Sequence, residues 1–113
     1  MKRALRLRRP TDFSRVRRQG RVYRHRIVLL SLCENSLAHN RYGIVTGRRL
    51  GMAVERNRIK RRLRALLLAL HKDLRQGFDI VLLPRRAVLR QPFSELQRII
   101  RQLFLQARLV EPG

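Results

Sequence analysis

Residues 51–64 read G-M-A-V-E-R-N-R-I-K-R-R-L-R, and their cations are the side chains best placed to do chemistry. Asn57, Arg61 and Arg64 are spaced at four and three, with Lys60 beside them, so a helix would gather them on one side. Ile59, Leu63, Leu66, Leu67, Leu70 and Leu74 recur at the spacing of an apolar stripe on roughly the opposite side. A guanidinium offers a planar fork of donors that matches phosphate oxygens, and several on one rigid face suit a polyanion. The only acid nearby is Glu55, before the run begins. A solvated charged face would normally intersperse acids, so this one points to nucleic acid.

Other reactive residue types are too scattered to form a centre. The seven acids, Asp12, Glu34, Asp73, Asp79, Glu95 and Glu111 besides Glu55, show no pair spaced for general acid–base work or for two metals. An independent metal-dependent nuclease is therefore disfavoured. His25, His39 and His71 form no ligand pattern with Cys33, which sits in an apolar run and reads as a small buried hydrophobe. Any chemistry on RNA falls to a partner.

Charge agrees. The chain carries 28 Lys+Arg against 7 Asp+Glu, a net charge of +21 over 113 residues. Self-repulsion at that density calls for a polyanionic partner. No apolar run is long enough to span a bilayer, and residues 1–20 lack the apolar centre of a signal peptide. The expectation is a cytoplasmic protein with no membrane association.

Several elements must position the basic face. The length suits a single RNA-binding domain over 1–113, with a basic, irregular N-terminal segment at 1–9 and a frayed tail at 110–113. A short helix starts at Pro10 and stops at Gly20, its Phe13 and Val16 sharing a thin apolar face. Residues 22–33 are apolar on both alternating sets from Ile27 onward, as in a strand covered on two faces, and can break in two near 24–26. Residues 35–40 supply turn chemistry, and 41–49 read as the second strand of a hairpin. The basic helix should run over 53–75 and be capped by Gly77. A buried strand at 79–83 stops at Pro84, and a last helix begins near Pro92 with Phe93, Leu96, Ile100, Leu103, Phe104 and Ala107 inward. The order is α-β-β-β-α-β-α, an α+β sandwich of helices on a small sheet.

R-Y-G-I-V-T-G-R-R-L-G-M-A-V-E-R-N-R-I-K-R-R-L-R, residues 41–64, closely resembles the bacterial ribonuclease P protein component, whose pattern is G-x-A-V-x-R-N-R-x-K-R-x-x-R after a strand glycine and a basic pair. R-L-R-R-P-T-D-F-S-R-V and D-I-V-L-L-P-R extend the resemblance over nearly the whole chain. It implies a subunit that binds a catalytic RNA and assists removal of the 5′ leader from precursor tRNA, with no protein partner required. It would assign catalytic-RNA contact to Arg56, Asn57, Arg58, Lys60, Arg61 and Arg64, with Arg48 and Arg49 as the basic pair. It also implies a leader cleft between the first helix and the sheet, where Phe13 matches a family aromatic. Arg17 and Leu30 stand where many members place further cleft aromatics, and Arg17 could substitute by pairing with leader phosphates or stacking on a base. The implied fold joins parallel strands by a left-handed crossover, against the usual preference. Catalysis would use Mg2+ held through the RNA, with no metal on a protein motif. Phe13 is open between anchoring its helix and touching the leader. A ribosomal or other RNA-scaffolding protein without turnover is the alternative function.

Overall fold

Pro10 pre-sets the first helical turn, and Asp12 lies where the helix dipole favours a negative charge, giving α1 over Pro10–Gln19. The computed structural model describes residues 1–111 and carries the chain from there through β1 (Arg21–Arg24), β2 (Val28–Glu34), β3 (Arg41–Ile44), α2 (Ala53–Leu70), β4 (Phe78–Pro84) and α3 (Phe93–Gln106). The expected break between two strands falls at 25–27.

The hairpin expected between β2 and β3 does not form. The sheet order is β1-β2-β4-β3, with β4 antiparallel to β2 and parallel to β3. β4 is buried along nearly its whole length, so it needs a neighbour on each side. A parallel neighbour requires a crossover of a dozen or more residues, which α2 supplies. Asn40 pins the arrangement: its side chain accepts from Phe78 N–H at 2.9 Å and donates to the Arg75 carbonyl at 2.8 Å. β3 therefore ends at Ile44, and 48–50 form a 3-10 turn rather than more strand.

Alternation along the central strands divides the protein into layers. Val28, Leu30, Leu32, Ile80 and Leu82 join the α2 residues Ile59, Leu63, Leu66, Leu67 and Leu70 and the α3 residues Leu96, Ile100, Leu103 and Phe104 in the main core. On the other face Val81 packs with Leu7 and Val16, beside Phe13, Cys33, Val45 and Leu83. Burying one Leu of the first set contributes about 1.5–3 kcal/mol, so α2 is held to the sheet by its stripe alone.

Three boundaries differ from the sequence expectation. α2 ends at Leu70 and continues as a 3-10 turn, His71–Asp73, so Gly77 serves the entry to β4 with φ 102° and not the helix end. Phe93 opens α3 and is 40% exposed, while Ile99 takes a place in the stripe. Past α3, Arg108 adopts φ 61° and Leu109 N–H bonds back to Phe104 O at 2.9 Å. That turn buries Leu109 and Val110, so the tail expected at 110–113 is packed at its start; residues 112–113 lie outside the described ones.

The N-terminal segment is ordered into the fold. Residues Arg3–Leu5 make a 3-10 turn, His39 Nε2 meets the Ala4 carbonyl at 3.0 Å, and Leu7 N–H donates to Tyr42 O at 2.8 Å. No helix among the described residues is long and apolar enough to cross a membrane.

Candidate nucleic-acid interface

Helical spacing does to α2 what the sequence requires. Ile59, Leu63, Leu66, Leu67 and Leu70 are buried, while Asn57, Arg58 and Arg61 are exposed and Arg56, Lys60 and Arg64 are half-buried at the margin. Glu55 is consumed locally: its carboxylate accepts from Met52 N–H at 3.2 Å and from Arg86 at 2.6 Å. The Met52 bond, then Arg86, holds the Glu55 carboxyl below its ordinary value. Arg62 is not part of the free face, because it donates to the carbonyls of Val88 and Gln91 and ties α2 to the turn Arg86–Arg90. Among the described residues no salt bridge engages Arg56, Arg58, Lys60, Arg61 or Arg64. Five cations thus share one rigid element with no salt-bridge partner among the described residues, Arg58 alone lying near enough to Glu55 for its charge to be felt.

Arg48 and Arg49 are exposed on the 3-10 turn leading into α2. Gly51 then turns the chain at φ 119°, and a Cβ there would lie 2.5 Å from the Glu55 carboxylate. Glycine is needed twice over, for the backbone and for the carboxylate that closes the helix start.

A second feature lies on the opposite side of the sheet. α1 covers only part of that face, leaving a groove of about 200 Å³ with Phe13, Val16 and Arg17 on one wall. Leu29 and Ser31 of β2, Val81 and Leu83 of β4, and Val22 and Val45 at the flanks complete it. The lining is aliphatic apart from one ring, Phe13, one cation, Arg17, and one hydroxyl, Ser31. Phe13 rests on β3 where the chain is Gly43: a Cβ there would meet its ring carbons at 2.5 and 2.6 Å. Phe13 is half-buried, so it packs against the sheet and lines the groove at once.

Leu30 does not belong with these residues. It is fully buried in the main core, and the β2 positions facing the groove are Leu29 and Ser31. Arg17 is exposed at the rim. Tyr42 is buried, its hydroxyl 2.8 Å from His71 Nδ1, and burial pushes its pKa up to about 12; Tyr23 is half-buried against the main core. Both are packing residues.

Sequence reading missed the anchor of the groove wall. Asp79 of β4 is fully buried, and its carboxylate accepts from Arg41 Nε at 2.9 Å and Nη2 at 2.7 Å, from Asn35 at 2.9 Å and from Arg15 of α1. Arg15 also reaches Cys33 Sγ and the Glu34 carbonyl, each at 2.9 Å. The bond to Asp79 raises the Arg41 pKa, and burial pushes the Cys33 thiol up. The available signal was one acid inside D-I-V-L-L, since a charge in a strand buried on two faces must be paired.

Among the described residues no three His, Cys, Asp or Glu side chains converge, and the Asp79 carboxylate is taken up by arginines and an amide.

The Ribonuclease P family profile matches residues 1–108. The Ribonuclease P protein component of Roseiflexus sp. (strain RS-1) is 39% identical over 112 residues, covering 98% of this chain and 92% of that protein. The protein of the same description from Chloroflexus aggregans is 42% identical over 111 residues, covering 97% and 82%. Among solved structures, the RNase P protein of Staphylococcus aureus superposes with a TM-score of 0.85 at 25% identity, covering 96% of this chain and all of that one. That of Thermotoga maritima, in complex with 1-(4-fluorophenyl)-2-thiourea, gives 0.81 at 29% identity, with 88% and 96% covered.

Proposed function

Because this chain belongs to the ribonuclease P protein family and so has its role in tRNA processing, we propose a division of that role between its two surfaces. The chain is the protein partner of an RNase P RNA. Arg48, Arg49, Arg56, Asn57, Arg58, Lys60, Arg61 and Arg64 grip that RNA, and the groove under α1, with Phe13 and Arg17, takes the 5′ leader of precursor tRNA. One observation carries this reading: among the described residues no salt bridge engages Arg56, Arg58, Lys60, Arg61 or Arg64, on a rigid helix in a chain of net charge +21.

The protein positions and neutralises. A cationic surface placed between ribozyme and substrate reduces the repulsion of two polyanions and favours precursor over mature tRNA through the leader alone. With one ring in the groove, at most one base stacks on an aromatic side chain, contributing about 1–3 kcal/mol, and Arg17 pairs with leader phosphates or stacks on a base. Cleavage of the phosphodiester belongs to the RNA and to Mg2+ held by it. The chain acts in the cytoplasm as a single RNA-binding domain, with no protein partner required.

The test uses reconstituted holoenzyme. Arg61→Ala should lower the salt slope of catalytic-RNA binding by about one unit, as expected for one lost phosphate contact. Phe13→Ala should weaken binding of precursor tRNA and spare mature tRNA. Salt slopes equal to wild type for Arg61→Ala, with equal losses of precursor and mature tRNA for Phe13→Ala, would defeat the proposal.

A further inference from the structure

We propose that Arg6 and Arg8 of the N-terminal segment, together with Lys60 and Arg64 of α2, form a pocket for one RNA phosphodiester where the α2 face meets the α1 groove. These four cations line a cavity of about 150 Å³ beside β3, walled by Phe13 and Tyr42. The cavity is several times the ~30 Å³ share of one water, so a phosphate group fits.

Arg6 and Arg8 are not on a loose tail. Leu7 between them is 5% exposed, packs with Val16 and Val81, and donates its N–H to Tyr42 O at 2.8 Å. Arg6 makes a parallel bridge with the same tyrosine. Leu7 seated against the fold fixes the backbone on either side of it, and Arg6, Leu7 and Arg8 all line the cavity. Their entropy of ordering is therefore met in part by the fold before any ligand arrives.

The charge balance of the cavity asks for an anion. No acid lines it, and none of the four cations is in a salt bridge among the described residues. Burial pushes the Arg64 pKa down, and the nearby Arg6 charge adds to it in the same direction. A phosphate between them removes that repulsion and offers oxygens to several donors at once. Phe13 lines this cavity and the groove alike, so an RNA strand lying along the groove has a backbone phosphate within reach here.

The inference rests on the reading of α2 and the groove as RNA surfaces, and the phosphate can come from the catalytic RNA or from the leader. Two equilibria separate these sources in reconstituted holoenzyme: protein binding to catalytic RNA, and holoenzyme binding to precursor and mature tRNA, each across a KCl series. R6A/R8A should lower the salt slope by about one to two units. The loss falls on catalytic-RNA binding if the ribozyme supplies the phosphate, and on precursor but not mature tRNA if the leader does. R6K/R8K, which keeps charge without the planar fork, should retain most of the slope in either case. Because the segment is held through Leu7 and backbone bonds, the variants should melt as wild type; should the double variant melt early, Arg8→Ala alone is read in the same way. The pocket is refuted if R6A/R8A leaves every slope and affinity at wild type while Arg61→Ala lowers the catalytic-RNA slope. If Arg61→Ala also changes nothing, the underlying reading of α2 fails with it.

Discussion

Replacing Gly43 by alanine puts a methyl carbon 2.5 and 2.6 Å from two ring carbons of Phe13 and 3.3 Å from Leu7 Cβ. Ordinary carbon contacts lie at about 3.5–4.0 Å, so the ring must retreat by about 1 Å or α1 must lift. Overpacking of this kind costs about 1–3 kcal/mol. Against it, a Cβ in a strand recovers about 0.5–1 kcal/mol of backbone entropy. The net loss is about 0–2.5 kcal/mol, a fall in melting temperature of up to about 10 °C for a domain of this size. Function should move further than stability, because the displaced group is the one ring of the groove: precursor tRNA should bind less tightly, with mature tRNA unchanged. Phe13→Leu in the same chain removes the clash, so the G43A/F13L pair should be more stable than the two separate losses allow, with a coupling of about 1 kcal/mol or more. Thermal melts of the four proteins and precursor-to-mature affinity ratios for the holoenzymes decide it. Additive stabilities together with an unchanged ratio for Gly43→Ala would refute the claim that β3 sets the position of Phe13.

Two further outcomes follow from the ion pairs. Asp79→Asn leaves Arg15 and Arg41 without their carboxylate; both guanidinium groups reach water, with side chains 27% and 24% exposed, so the loss should sit at the low end of the buried-pair range, about 3 kcal/mol, read as a lower urea midpoint at unchanged m-value. Glu55 has a folded pKa below its unfolded value, so its contribution is present above the unfolded value and disappears as pH falls through the folded one. Glu55→Gln should therefore lose stability near neutrality and show a flatter acid limb than wild type, whereas parallel pH curves would show that the Met52 and Arg86 bonds contribute nothing.

What could be read from the sequence divides along physical lines. The two faces of α2 were legible because a 3.6-residue period separates leucines from arginines within one continuous segment, and no tertiary information is needed to see it. The layer assignment of β2 was not legible: with both alternating sets apolar, the pattern cannot tell which set faces α1, and the resemblance placed at the cleft a residue, Leu30, that is buried in the main core. The β2–β3 hairpin was expected because sequence neighbours usually pair, whereas the competing demand came from β4, forty residues away, whose two buried faces take a strand on either side. The groove is assembled from α1, β1, β2, β4 and the residue after β3, so no local window contains it. Residues 1–9 looked irregular because a single inward leucine between two arginines is too short to carry a period; its partner, Tyr42, supplies the order.

The docked N-terminal segment has a consequence for the free protein at high concentration. A four-stranded sheet ends in two rows of unspent backbone donors and acceptors, and β1 and β3 are those borders here. Along β3 the Arg6 bridge and the Leu7 bond cover the edge at Tyr42 in a strand of four residues, and the other border, β1, is four residues long with an exposed arginine at each end. Both margins thus resist recruiting a strand from a neighbouring molecule, a safeguard against self-templated aggregation when no RNA is bound.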